Sequence, residues 1–435
     1  MSDFDLLVRG SEQDIGIRDG KFVAFGNNLS GSARSEIDAR ELTIFPGVID
    51  AHVHFNEPGR TEWEGWETGS RAAAAGGMTT VFEMPLNAHP PTINRESFEL
   101  KRAAAEATSR VDFGLWGGLV PGNLSELESL RDCGVVGLKA FMCNSGISDF
   151  LRVDLPTLRT GMKCAAELDL LVAVHAESEE ITSALTGAAR AADRNGIRDY
   201  LNARPIAAEL EAIRCAIDLA AETGCRLHIV HVSCGTGVAL VASARAKEID
   251  VTCETCPHYL VLTGDDMERL GAVAKCAPPL RSADEQRGLH DRLSDITTIG
   301  SDHSPSPPEM KRRENFFDVW GGISGCQHLL SLLIDARISS VEIRRLTSHD
   351  VASRFRVPTK GALAVGKDAD FTLVDLNATE AITPESLHYR HRQSPYVGRT
   401  VRSRVCRTFL RGQTLFEDGK FAARPMGRLV RPEIS

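Results

Sequence analysis

The sequence predicts an α/β protein, a (β/α)8 TIM barrel carrying a small β-sandwich-like domain built from both chain ends. Three observations predict it. Between Gly47 and about residue 355, apolar strand-like runs alternate with longer segments of helical period, the texture of βα units on a parallel sheet. Before Pro46 and after Gly361 the runs are short, alternating and broken by turn dipeptides such as Asp19-Gly20, Arg411-Gly412 and Asp418-Gly419. Residues able to hold a metal recur where the barrel strands end, which is where such barrels gather their reactive groups. A doubly wound open sheet is the competing architecture.

In chain order, short strands are expected at Asp5–Arg9, Ile15–Lys21 and Phe22–Phe25. Eight barrel strands follow at 47–54, 79–84, 112–119, 135–140, 170–175, 226–232, 249–254 and 296–302. Helices lie between them, among them 69–75, 95–108, 156–168, 207–223 and 236–247. Eight such units in about 310 residues is the arithmetic of one barrel with insertions. From residue 362 the strand-and-turn texture returns, through Phe371–Asp375 and Val401–Phe421. The expected division is 1–46 and 362–435 for the two parts of the β-domain and 47–361 for the catalytic barrel.

The chain has 435 residues, which allows two or three domains, or one barrel taking most of the length. Net charge is −9 with the two signs mixed along the chain, so no general affinity for nucleic acid or an anionic membrane is expected. The start, Met1-Ser2-Asp3-Phe4-Asp5, is acidic where a signal peptide needs a basic stretch, and no run approaches a membrane span. A cytoplasmic location is expected. Eleven cysteines, an odd number lying mostly in apolar or helical stretches, read as reduced core thiols, Cys253 and Cys256 included.

The first barrel strand, Val48-Ile49-Asp50-Ala51-His52-Val53-His54, carries two histidines at i and i+2, which project from one face of a strand. Taken alone they are as readily ordinary strand histidines. Lys139, His175, His231 and Asp302 stand at four further strand ends, and together the six read as a metal centre. His228 and His231 are three apart and face opposite sides, so only one points inward; His231, nearer the C-terminal end, is the choice. A buried lysine at a strand end is costly unless neutralised or paired, so Lys139 is either a carbamate formed with CO2 or the partner of a carboxylate such as Glu83.

The set His52-x-His54, Lys139, His175, His231 and Asp302 resembles the binuclear, carboxylated-lysine branch of the amidohydrolase superfamily. That branch holds hydantoinases, dihydropyrimidinases, dihydroorotases and allantoinases. The likeness covers nearly the whole chain, including Ser394-Pro395-Tyr396-Val397-Gly398. It implies His52 and His54 on one divalent ion, His175 and His231 on a second, Lys139 bridging, and Asp302 on the first as proton shuttle. The implied ions are zinc, with cobalt or manganese as alternatives, together with CO2 for Lys139. The implied assembly is a homo-oligomer, a tetramer above all, and the implied partner is a small-molecule substrate.

The loops speak to the substrate. Dihydroorotases carry an arginine two residues after the second histidine and an asparagine after Met-Pro; here Asn56 and Leu86 stand there, so a carboxylate would be buried unpaired. Hydantoinases and dihydropyrimidinases carry a tyrosine five residues after the lysine; here it is Asn144. His54-Phe55-Asn56-Glu57-Pro58-Gly59, Glu83-Met84-Pro85-Leu86-Asn87 and Ser301-Asp302-His303-Ser304-Pro305-Ser306-Pro307-Pro308-Glu309-Met310-Lys311 resemble the allantoinase group instead. The expected reaction is hydrolysis of allantoin to allantoate. Hydantoinase or dihydropyrimidinase activity is the alternative, dihydroorotase less so, and a non-catalytic scaffold is disfavoured because no ligand is missing. Asn56, Asn87, Asn144, Ser145 and His258 are the expected substrate contacts, each asparagine equally suited to a turn.

Overall fold

The computed structural model describes residues 2–433; Met1, Ile434 and Ser435, which complete the two expected end segments, lie outside the described residues. The barrel strands are β1 (Val48–Val53), β2 (Met78–Glu83), β3 (Asp112–Leu115, resumed at Gly117–Gly118), β4 (Leu138–Phe141), β5 (Leu171–His175), β6 (Arg226–Ile229), β7 (Val251–Thr255) and β8 (Thr298–Ile299). Each pairs in parallel with the next. A parallel bridge between Val53 and His303, with the His54 N–H donating to His303 O at 2.7 Å, joins the last strand to the first. The ring is closed, which excludes the open sheet.

Strands β1, β2, β4 and β5 are buried along their whole length, as expected when helices cover one face and barrel side chains fill the other. Among the covering helices, Arg95–Thr108 starts at Asn94, whose side chain accepts the Ser97 N–H at 2.9 Å. Strands β6 and β8 stop three residues short of expectation, at Ile229 and Ile299. His231 and Asp302 adopt left-handed backbone conformations, φ +42° and +46°, so β6 and β8 end before them and their side chains turn in over the barrel mouth. The long β5–β6 connection holds the expected helix 207–223, observed at Ile206–Thr223, and two that the sequence did not single out, Glu179–Ala191 and Ile197–Ala203.

Both chain ends build the β-rich part. One sheet has the order Lys21–Gly26, Asp14–Arg18, Phe4–Gly10, Ala33–Ala39. The expected strand Ile15–Lys21 is cut at Arg18, because Asp19 and Gly20, at φ +52° and +75°, form the hairpin turn. In the second sheet Thr43–Pro46 pairs antiparallel with Phe371–Asp375, which pairs with Arg404–Leu410. Leu6, Ile17 and Phe22 from one end pack with Phe371 and Phe409 from the other. Lys360 fastens this part to the barrel, its Nζ 2.6 Å from both Asp112 of β3 and Asp370. All eleven cysteines are free, as expected. Among the described residues no helix is long and apolar enough to cross a membrane.

Candidate active site

β1 delivers His52 and His54 side by side, ring centroids 5.5 Å apart. His52 Nδ1–H donates to Glu254 Oε1 at 2.7 Å, which leaves the lone pair on Nε2. That Nε2 stands 3.2 Å from Asp302 Oδ1, and His54 Nε2 stands 3.5 Å from the same oxygen. Burial pushes the Asp302 carboxyl up, but His52 and His54 opposite it more than offset this and hold it well below the usual carboxylate range. Burial likewise drives the His52 imidazole far down, so it is neutral and able to donate a lone pair. Gly300 makes the close packing possible: a Cβ there would lie 2.6 Å from Glu254 Oε2 and 2.9 Å from His52 Cβ.

β5 and the turn after β6 deliver the second pair. His175 Nδ1 faces His231 Nε2 at 3.0 Å, and the rings of His52 and His231 are 5.4 Å apart, so the two pairs adjoin. His175 Nε2–H donates to Glu177 Oε2 at 2.8 Å, Arg204 holds the same oxygen at 2.6 Å, and Phe141 stacks on the His175 ring at 4.6 Å. His228 is elsewhere, its Nδ1 2.8 Å from Thr252 Oγ1. Lys139 is buried beside these residues with no hydrogen-bond partner for Nζ, and burial pushes its amine down to about 8. The pairing with Glu83 is not formed, because Glu83 is taken by Lys101, whose Nζ is 2.8 Å from Oε2.

These residues fit a pair of divalent cations. Imidazole nitrogens 3.0 Å apart, and two more within 3.5 Å of one carboxylate oxygen, have the spacing of atoms that share an ion at about 2.0–2.2 Å. His52, His54 and Asp302 form one compact group of such atoms. Lys139 Nζ, beside them, is a buried polar atom without a hydrogen-bond partner.

A cavity of about 870 Å³ opens over all six residues. Of the expected substrate contacts, Asn87, Asn144 and Ser145 line it. Asn87 donates to Ser304 Oγ at 3.3 Å, while Asn144 and Ser145 spend much of their polarity on their own loop. Asn56 and His258 are not in the lining. Asn56, at φ +65°, is fully buried and donates its carboxamide N–H to Pro305 O at 3.4 Å: it is the turn residue. His258 is fully buried in the short helix Pro257–Val261, its ring 4.2 Å from that of Tyr259, and burial pushes its imidazole down to about 4.

Sequence reasoning missed much of the wall: Arg60, Trp63, Arg204, Lys275 and the segment from Met310 to Gly322. Arg60 donates to Asn87 O at 2.9 Å and to Asp149 at 3.1 Å, contacts between distant loops that leave no local pattern. Glu254 was within reach, as a carboxylate near the end of a barrel strand.

The amidohydrolase family model matches residues 43–415. The chain is 54% identical over 448 residues to an allantoinase of Rubrobacter xylanophilus, covering 100% of this chain and 99% of that one. It is 52% identical to an allantoinase of Solibacter usitatus, covering 97% and 94%. Among solved structures it is similar to the L-hydantoinase (dihydropyrimidinase) from Arthrobacter aurescens, with a TM-score of 0.95, 34% identity and coverage of 98% and 100%.

Proposed function

The chain belongs to the amidohydrolase family, and from that premise we propose that it hydrolyses the cyclic amide bond of allantoin to give allantoate. The observation that carries the reading is the difference between two end-to-end likenesses, 54% to an allantoinase against 34% to a hydantoinase. The loops agree with it: where a substrate carboxylate would need a cation next to β1, Asn56 is buried and turned into the protein.

In this reading His52, His54 and Asp302 would hold one divalent cation and His175 and His231 the other. Lys139, once carboxylated by CO2, would add an anionic ligand; its buried amine without a hydrogen-bond partner supports that role. When bound, the cations polarise the amide carbonyl and lower the pKa of attacking water. The chain's own groups do the rest. Asp302 accepts a proton from the attacking water and returns it to the leaving ring nitrogen. Glu254 and Glu177 fix the tautomers of His52 and His175. Arg60 holds the Asn87 loop against the wall, where the Asn87 amide offers hydrogen bonds to a neutral ring.

We further assign zinc as the metal, with cobalt or manganese suiting the same donors, a homotetramer in the cytoplasm, and domain limits at 1–46, 47–361 and 362–435. The test is ring opening of allantoin, hydantoin, dihydrouracil and dihydroorotate, with zinc, cobalt and manganese supplied in turn. Allantoin is expected to be turned over fastest and dihydroorotate slowest. Hydantoin or dihydrouracil exceeding allantoin would give the site to the hydantoinase reading.

A further inference from the structure

After Asp302 the chain leaves the barrel and returns at Ile323, whose carbonyl accepts the Ser304 N–H at 2.9 Å. Met310, Phe317, Val319, Trp320 and Gly322 of this excursion line the cavity. Apart from short 3-10 turns it has no regular structure, so its buried carbonyls need donors from elsewhere. Two lysines supply them. Lys311 Nζ donates to Trp320 O at 2.8 Å and Gly322 O at 2.7 Å, which closes the excursion on itself. Lys275 Nζ donates to Phe316 O at 2.7 Å, Phe317 O at 3.2 Å and Val319 O at 2.6 Å, and lies 4.5 Å from the centre of the Tyr200 ring.

Lys275 is only 3% exposed, and no carboxylate pairs with it among the described residues. Burial pushes its amine down to about 7, and the three carbonyls around Nζ accept from it in either protonation state, three N–H groups as an ammonium and two as a neutral amine. The residues next to it in sequence, Cys276 and Ala277, line the same cavity, so one side chain ties two walls together. Of the other ties nearby, Arg190 to Asp318 at 2.6 Å is half exposed on both sides and worth little, and the Phe316 N–H donates to Asn195 O at 2.9 Å, which holds one end of the segment only. Trp63 meets Trp320 edge-on at 4.8 Å and contributes packing without fixing the backbone.

We propose that Lys275 is a positioning residue for substrate binding: it holds the Phe316–Val319 backbone against the Cys276 strap and so sets the width of the cavity. On the allantoin reading the metal-binding residues take the amide that is cut, which leaves this wall to the substituent on the ring. The choice of probe rests on the allantoin reading; the wall itself does not.

The test is Lys275→Met beside Lys311→Met, with bound metal, thermal stability, steady-state kinetics and trypsin cleavage after Arg312 and Arg313, which are exposed on the excursion. Buried carbonyls left without donors set the scale, so KM for allantoin is expected to rise about tenfold in K275M. Metal content and kcat stay near wild type, KM for hydantoin moves less, and cleavage at 312–313 accelerates. K311M loosens the excursion but keeps its tie to Lys275, so it speeds cleavage with KM nearer wild type; Lys275→Gln, which keeps two N–H donors, decides the matter if K275M does not fold. Unchanged KM with unchanged cleavage overturns the proposal, as does a fall in kcat and metal content at constant KM, which would place the effect at the metal centre. If wild type prefers hydantoin, the substrate reading fails alone, and the KM and cleavage tests proceed on the preferred ring.

Discussion

Lys101 Nζ lies 2.8 Å from Glu83 Oε2, and neither side chain has any exposure. The other Glu83 oxygen accepts the N–H groups of Phe55 and Asn56 at 3.1 and 3.2 Å, so a lysine on helix Arg95–Thr108 steadies the chain just past His54. Removing one partner strands the other's charge in the interior, which costs about 3–5 kcal/mol. Lys101→Met is therefore expected to lower stability by that amount in urea unfolding, and adding Glu83→Gln should recover part of it. A K101M protein as stable as wild type would mean that Glu83 is protonated in the fold.

Lys139 Nζ has no hydrogen-bond partner, and Asp302 is the carboxylate that two histidines face. Purified protein is expected to hold about two divalent ions per chain. Lys139→Ala should lose metal along with turnover. Asp302→Ala should lower kcat by at least about 10²–10⁴-fold, the share of a general acid–base group. His228→Ala, outside the group, should keep its metal. Full activity in K139A and D302A with no metal bound would sink the binuclear reading.

The strand ends were readable because parallel strands buried on both faces stay apolar until they reach the mouth, where a histidine or aspartate interrupts the run. Residues in such positions differ from their surroundings in the sequence itself. The direction of a loop side chain leaves no such mark. Asn56 suits a contact and a turn equally in the sequence, and its left-handed φ, which asparagine tolerates, aims it into the protein. The wall was least readable of all. Arg60 meets Asp149 and Lys275 meets Phe316, so each tie exists only once the barrel has brought distant loops together.

The carboxylate behind His52 gives a third prediction. Glu254 accepts from His52 Nδ1 and so keeps Nε2 as the ligand atom. Glu254→Gln can donate to Nδ1 as well as accept from it, which allows the wrong tautomer. Metal affinity is expected to fall about 10–100-fold, as for other partners of ligating histidines. Competition with a chelator measures it. Equal ion retention by E254Q and wild type would leave Glu254 with a packing role only.

Lys311 gives a pH dependence whose sign follows from its surroundings. Burial pushes its amine down to about 7. An unfolded lysine titrates near about 10.4, so between roughly pH 7 and 10 the unfolded chain binds more protons at this site, and folding stability gained there rises with pH. Loss of the proton does not break its contacts, because a neutral amine keeps two N–H groups and only Trp320 O and Gly322 O need them. Lys311→Met has no such titration. The stability difference between wild type and K311M, from unfolding curves at several pH values, should be flat below about pH 6 and widen from pH 7 to pH 9. A difference that stays constant across that range would show that the carbonyls hold Lys311 as an ammonium in the fold.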